Sequence, residues 1–479
     1  MSAVLDRFSV ARGVAVIDDD GGERSYDDVR ARASHVAAFL GDRRGKRVAL
    51  LASPGAEFVS ALFGIFQSGA SALVLSPLHP PAESAWFCED ADVDLVLHSA
   101  DQLERARGTK RTLVDLASIA ASSAKTFAID DSSPALMLYT SGTTGKPKGA
   151  VLTHGNLGTQ QALLAEAWGL VSSDVLLHAL PLHHMHGLCI ALLSCLGAGA
   201  TIRMLPAFDA ERIFREMARS TVFMAVPTMY KKMLDANLPE DSLQNARKLR
   251  LATSGSAALP VTLAERWRDI TGSIPLERFG MTEVGVGLSN PLHGERRAGT
   301  VGLPLRTVET RIEESGELLI RGPSVFKEYF RREEATKNAF TSDGWFKTGD
   351  TVAKDDAGYF RILGRTSVDI LKSGGYKLSA LEIEEALREH AAVSDVAVVG
   401  IPDETWGDRV VACVVVREGK TLAPEELRAF AKEKLASYKC PKDVVVMSDL
   451  PRNAMGKVQK PSLVTLLAAR AAGAPGGRA

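Results

Sequence analysis

The sequence predicts an α/β protein. A large N-terminal domain holds layered parallel sheets with helices plus a small β-rich subdomain, and an α+β C-terminal domain follows. Three observations carry this reading. Helix-period and strand-like runs alternate over residues 24–110 and again after residue 174. Beyond about residue 296 the texture shifts to short strands set between Gly and acidic turns. After Gly364-Arg365 a fresh helix–strand pattern begins.

In chain order, SYDDVRARASHVAAFLGD has apolar residues at helical spacing with a Gly near its end. RVALLAS reads as a buried strand, EFVSALFGIFQSG as a helix and SALVLS as the next strand. This β–α–β rhythm implies parallel sheets flanked by helices. It returns as DVLLHALPL, MHGLCIALLSCLGAG, ATIRML, a helix over 209–219 and VFMAVP, while KLRLATSGSAALP ends a strand in a small-residue loop. VETRIEES, GELLIRG and YFRILG form the β-rich part. The last domain runs through helix ALEIEEALREH, strands VSDVAVVGI and RVVACVVVRE, helix PEELRAFAKEKLA and strand DVVVMSDL. The tail, from about residue 470, is small and polar and is expected to be disordered.

At 479 residues the chain is too long for one core, and 46% hydrophobic with 24% charged residues is globular composition. A net charge of −1 gives no footprint for nucleic acid or an anionic membrane. No apolar run is long enough to span a bilayer. The five cysteines, Cys88, Cys189, Cys195, Cys413 and Cys440, are scattered without a CxxC, which argues against a disulfide scaffold or structural zinc. The start, MSAVLDRFSVARG, lacks a signal-peptide core, so a cytoplasmic location is expected.

One stretch is chemically unusual. LYTSGTTGKPKGAVLTHGN, residues 138–156, concentrates glycines, hydroxyls and two lysines. Glycines let backbone N–H groups converge on phosphate oxygens, hydroxyls add donors, and Lys146 or Lys148 adds charge. It is neither a Walker A loop nor a GxGxxG turn, and a plain hydrophilic turn has the same composition.

Six further clusters stand at strand ends or in loops: PLHHMHG (181–187), SGSAALP (254–260), ERFGMTE (277–283), GWFKTGD (344–350), GRTSVDILKSGGYK (364–377) and PRNAMGKVQK (451–460). Together with the opening loop, in order and spacing, they resemble the motif set of the adenylate-forming enzymes: acyl-CoA synthetases, luciferases and peptide-synthetase adenylation domains. The resemblance covers nearly the whole chain. It implies ATP, Mg²⁺ and coenzyme A as cofactor and co-substrates, with a small-molecule carboxylic acid as the other partner. It also implies an adenylation domain over 1–364 and a mobile domain over 365–479. Nucleic-acid and membrane partners are not expected, and monomer and homodimer stay equally open.

By that resemblance Thr140, Ser141, Gly142, Thr143, Thr144, Gly145, Lys146, Pro147 and Lys148 cradle the β- and γ-phosphates. Thr282 meets the α-phosphate, and Glu283 offers Mg²⁺ a hard carboxylate oxygen. Ser256, Ala257 and Ala258 with Phe279, Gly280 and Met281 line the adenine slot. Asp350 takes the ribose diol, and Arg365 reaches the ribose or phosphate. Lys457 bridges the attacking carboxylate and the α-phosphate, where a cation stabilises concentrated negative charge. Ser373, Gly374, Gly375 and Tyr376 let the CoA thiol arm pass close to the backbone, and Ser367 occupies the hinge position, where many relatives carry Asp or Lys. Arg409, Lys439 and Lys442 are basic candidates for the CoA phosphates by composition alone.

His183, His184 and His186 on one loop cannot all point inward, and no carboxylate accompanies them, which disfavours zinc. His184 aligns with the family histidine shielding the acyl pocket, and Ser254 borders that pocket. The residue before Phe279 is uncharged in most relatives and is Arg278 here. The combination of PLHHMHGL, VPTMY, SGSAALP, ERFGMTE, AGTVG, GRTSVDILKSGGYKLSALEIE and PRNAMGK is similar to that of malonate-activating members of the family. A guanidinium at position 278 suits a second carboxylate and rejects a plain fatty tail. The alternative is that Arg278 pairs with Glu277 or Glu283. The expected activity is a malonate–CoA ligase that also takes methylmalonate. A monocarboxylate–CoA ligase, a stand-alone enzyme loading a carrier-protein thiol, and a silent nucleotide-binding relative are the other readings.

Overall fold

The computed structural model describes residues 2–123, 127–140, 147–236, 240–452 and 456–473. Ser141, Gly142, Thr143, Thr144, Gly145 and Lys146 of the phosphate loop lie outside the described residues, as do 453–455 and 474–479. The chain divides into two compact units. One comprises Met1–Leu259, Glu265–Thr310 and Ile320–Phe346; the other comprises Pro260–Ala264, Arg311–Leu319 and Lys347–Ala479.

The first unit is built on two large sheets. One runs in the order Leu303–Pro304, Gly285–Ser289, Leu276–Met281, Leu251–Ser254, Val222–Ala225, Val175–His178, Thr201–Met204, Val14–Ile17, Glu23–Ser25. Its strands pair in parallel from Leu276–Met281 through Val14–Ile17, and the outer strands are antiparallel. The other sheet runs Glu328–Tyr329, Lys148–Thr153, Pro134–Thr140, Ser71–Val74, Arg47–Leu51, Leu95–His98, Thr112–Asp115. The expectation of parallel sheets is qualified here too, since Glu328–Tyr329 pairs antiparallel with Lys148–Thr153. The strands flanking the phosphate loop, Pro134–Thr140 and Lys148–Thr153, are antiparallel, because a connection this short cannot make a parallel crossover. Thr140 and Lys148 are register partners, so both ends of the loop are pinned.

Local signals explain the helices. Ser25 and Asp28 form a reciprocal capping box that starts Tyr26–Leu40. That helix packs on Ala56–Gln67 at Gly64, where a Cβ would stand 2.6 Å from the Val36 Cβ and 2.8 Å from the Ala33 carbonyl oxygen. MHGLCIALLSCLGAG does not form one regular helix. His186–Leu193 is a π-helix, followed by an α-turn over Ser194–Gly197. The His178 Nε2 lies 2.8 Å from the Gly187 carbonyl oxygen, a side-chain contact to the helix backbone within this irregular stretch.

The second unit takes most of a four-stranded sheet ordered Glu309–Ile312, Glu317–Arg321, Phe346–Lys354, Phe360–Arg365. It continues into a sheet centred on the antiparallel pair Val393–Asp403 and Gly407–Val416. Their central runs, VAVVGI and VVACVVV, are apolar because both faces are covered. Val396, Val398, Val410, Ala412 and Val414 pack with Ile383, Leu387 and Leu427, while Ala397, Val399, Val411 and Cys413 pack with Leu450, Leu463 and Leu467. The last two side chains correct the expected tail. Burying Leu463 and Leu467 holds helix Lys460–Gly473 through the start of the segment read as disordered. No helix among the described residues is long and apolar enough to cross a membrane.

Candidate active site

In the first unit, Ser254 ends strand Leu251–Ser254 and is the register partner of Glu277 on the parallel strand Leu276–Met281. Consecutive strand residues face opposite sides, so Glu277 and Arg278 diverge. Glu277 accepts a hydrogen bond from the Gly299 amide at 2.9 Å. Arg278 is buried to 4% exposure, and its Nε and Nη2 have no hydrogen-bond partner. It makes no ion pair with Glu277 or Glu283. Burial without a counter-ion pushes its pKa down to about 9.

The histidines separate into two groups. His184 stands against His183 with ring centroids 4.2 Å apart, and His183 lies 5.9 Å from His79. Burial, reinforced by neighbouring imidazoles, lowers His183 to about 3 and His184 to about 4. His186 belongs elsewhere. Its Nδ1 lies 3.2 Å from the Ser256 Oγ, its Nε2 is buried without a partner, and burial together with the Arg278 charge holds it neutral. No cluster of metal-ligating side chains forms among the described residues. Ser256 has φ of 69°, a left-handed conformation costly for a serine, of the kind that concentrates at ligand sites. Ser256, Ala257 and Ala258 are exposed, and Phe279, Gly280, Met281 and Thr282 are half-buried.

Glu283 is buried, and its Oε1 accepts a hydrogen bond from the Tyr329 hydroxyl at 2.8 Å. The Lys148 Nζ sits over the same Tyr329 ring, 5.3 Å from its centroid. Tyr329 thus joins a loop-end lysine to the motif carboxylate. Sequence reading missed it because FKEYF carries no mark beyond an ordinary edge strand. His186 was missed for a related reason: HHMHG alone cannot tell which imidazole faces Arg278.

In the second unit, Asp350 and Arg365 are register partners on antiparallel strands, with Arg365 Nε 3.2 Å from Asp350 Oδ1. Arg365 Nη1 also donates to the Thr348 carbonyl at 2.5 Å. Burial raises the Asp350 pKa to about 6, against the pull of Arg365 and Lys457. Lys457 is exposed at its surface, yet desolvation by surrounding chain and the Arg365 charge lower its pKa, while Asp369 and Asp350 oppose them. Ser367 lies exposed in the turn after Arg365.

Ser373 and Tyr376 are register partners closing a two-residue hairpin at Gly374 and Gly375, with φ of 57° and 83°. Both glycines are demanded by the turn, since a hairpin of this kind needs positive φ at its two central residues. Tyr376 stacks on Tyr438 at 4.4 Å, and the Gly374 amide donates to the Trp406 carbonyl at 2.8 Å. Of the basic candidates, Arg409 pairs with Asp443, Lys439 with Glu382, and Lys442 lies over the Trp406 ring at 3.9 Å.

Residues 9–330 match the AMP-binding enzyme family, and residues 382–457 match the AMP-binding enzyme C-terminal domain. The mitochondrial malonate–CoA ligase of Bos taurus is 41% identical over 95% of this chain and 89% of its own. ATP-bound MatB from Rhodopseudomonas palustris superposes with a TM-score of 0.91 at 34% identity, covering 97% of this chain and 99% of that one. A malonyl-CoA ligase product complex with methylmalonyl-CoA and AMP is 38% identical with a TM-score of 0.69, covering 94% and 98%. With a family match over more than half its length, this chain belongs to the AMP-binding enzyme family.

Proposed function

We propose that this chain is an AMP-forming malonate–CoA ligase that also accepts methylmalonate. The observation that carries the acid specificity is Arg278, a buried guanidinium with two unpartnered donors. A carboxylate is the ligand that satisfies both donors and offsets the charge at once. Ser254 Oγ and His186 Nε2, also buried and unpartnered, add polar groups from the same unit.

The reaction runs in two halves. A malonate carboxylate oxygen attacks the α-phosphorus of ATP, the α–β anhydride bond breaks, and pyrophosphate leaves. The CoA sulfur then bonds to the acyl carbon, AMP departs and the thiol proton is released. Lys457 stabilises negative charge between the carboxylate and α-phosphate in the first half. Thr140 to Lys148 hold the pyrophosphate, Asp350 takes the ribose diol, and His184 shields the acyl pocket. For the second half the domain over 365–479 turns about Ser367 and brings Ser373–Tyr376 to the thiol path.

Glu283 fits a Mg²⁺ site of the usual nucleotide type, in which one or two carboxylates and substrate phosphates suffice. When bound, the ion would neutralise phosphate repulsion. Tyr329 holds the Glu283 carboxylate by its hydroxyl. Five free, buried cysteines support a reducing compartment, which we take to be the cytoplasm.

The test is pyrophosphate release and thioester formation with malonate, methylmalonate, succinate and butyrate, each with and without CoA. Malonate should lead, with malonyl-CoA as product. A preference for butyrate would leave only an unspecified acyl-CoA ligase. Adenylate formation without transfer to CoA would point to carrier-protein loading.

A further inference from the structure

Gly255 follows Ser254 directly and therefore lies beside Arg278 on the neighbouring parallel strand. Its φ is outside the left-handed region, so conformation does not demand glycine here. Space does. A Cβ at residue 255 would stand 2.3 Å from Cζ and from Nε of Arg278, and 2.8 Å from Nη2. Contacts so short do not occur, so any side chain at 255 and the observed guanidinium exclude each other.

The atoms in the way belong to the end of a long side chain and not to backbone. A methyl group at 255 would therefore push the guanidinium out of its seat before it moved the strand. Two of the three clashing atoms, Nε and Nη2, are also the two donors left without a partner. The next residue, Ser256, turns into its left-handed conformation and meets His186, whose protonation is suppressed first by burial and then by the Arg278 charge. The segment from Ser254 to Ser256 thus runs alongside both the guanidinium and the imidazole.

We infer that Gly255 is a specificity-determining position that acts through Arg278, its missing side chain supplying the seat from which the guanidinium reads a second carboxylate. The inference rests on the malonate reading, and it makes residues 255 and 278 one coupled unit.

A double-mutant cycle of wild type, Gly255→Ala, Arg278→Met and the double variant tests it, with kcat/KM measured for malonate and for butyrate. Arg278→Met should lower the malonate-to-butyrate ratio on the order of 100-fold, the value of a lost two-pronged charged contact. Gly255→Ala alone should lower the ratio by a similar factor, mostly through KM for malonate. In the Arg278→Met background it should change the ratio by less than about threefold, since the partner it displaces is gone. Thermal unfolding of all four proteins guards against loss of fold, and the double variant, free of the clash, should melt no lower than Gly255→Ala.

Equal losses from Gly255→Ala in both backgrounds would overturn the coupling while leaving the malonate reading intact. So would a Gly255→Ala variant that loses malonate and butyrate alike. If Arg278→Met keeps the wild-type ratio, the malonate reading itself fails and this inference with it.

Discussion

Two buried cations, one in each unit, show opposite solutions to the same electrostatic problem. Lys460 is buried at the start of the last helix, and its Nζ lies 2.5 Å from Asp369 Oδ1 and 2.7 Å from Glu384 Oε1. Burial alone would lower its pKa, yet Glu384 and Asp369 hold it above the ordinary lysine value. Arg278 is as buried, has no ion pair with a carboxylate among the described residues, and is pushed down by burial instead. A cation buried for architecture arrives with its counter-ions, because an uncompensated charge costs several kcal/mol. Where the fold leaves one bare, as at Arg278, our proposal is that the ligand supplies the counter-ion, which would distinguish a binding group from a structural one.

Lys460→Met is the hardest test of this contrast and should have the largest effect. It removes the counter-charge of buried Glu384, left with Arg388 at 3.3 Å, and of half-buried Asp369; both also anchor backbone, since Asp369 accepts from the Arg365 amide and Glu384 from the Val398 amide. The expected loss in urea unfolding is about 3–5 kcal/mol. Arg278→Met removes a charge that strands nothing, so its unfolding free energy should be equal to or above that of wild type. If the two variants lose stability alike, burial and not pairing governs both sites, and the contrast collapses.

Lys457→Ala sharpens the comparison within the second unit, because Lys457 is exposed where Lys460 is buried. Loss of one charge-stabilising donor in a transition state costs roughly 10²–10³-fold in rate. Malonate-dependent pyrophosphate release should fall by that factor. Discharge of synthetic malonyl-AMP by CoA should continue if, as we propose, Lys457 serves adenylation alone. Equal loss of both half-reactions would remove the division of labour between Lys457 and the Ser373–Tyr376 hairpin.

Legibility in the sequence divides along similar lines. The α/β layering was readable because apolar runs such as VAVVG and VVACVVV repeat between helical stretches, and burial on both faces demands just that pattern. Motif residues such as Asp350 and Arg365 were readable as types, and their antiparallel pairing follows from strands too close in sequence for a crossover. Pairings that depend on a distant residue were not readable. The Tyr329 hydroxyl reaches Glu283 from 46 positions away, and the seat at Gly255 exists only because two strands lie side by side. The glycines of SGGY were noticed as room for a thiol arm, but their positive φ values show that the hairpin itself needs them. The π-helix at His186 was unreadable, as was the contact its Gly187 carbonyl makes with an imidazole from the preceding strand.

The smallest effect concerns a charge that falls between the two extremes. Asp350 is 5% exposed and touches Arg365, yet its pKa rises from 3.8 to about 6 because burial outweighs the attraction of Arg365 and Lys457. The folded state therefore holds this proton more tightly than the unfolded chain does. Below about pH 4 both states are protonated and the carboxyl costs nothing; as pH rises toward about 6 the unfolded chain ionises first, and stability falls. Above that interval the penalty is complete. Asp350→Asn should then raise the unfolding free energy at neutral pH by roughly 1–3 kcal/mol, at about 1.36 kcal/mol per pKa unit, with the gain vanishing near about pH 4. Urea unfolding of both proteins across this range measures it. If Asp350 also takes the ribose diol, the same variant should raise KM for ATP roughly tenfold or more, the value of a hydrogen bond to a charged group. A group that lowers stability while improving ligand affinity is held for the ligand. A variant less stable than wild type at neutral pH would instead make Asp350 a structural partner of Arg365, paired like Lys460 and no longer comparable with Arg278.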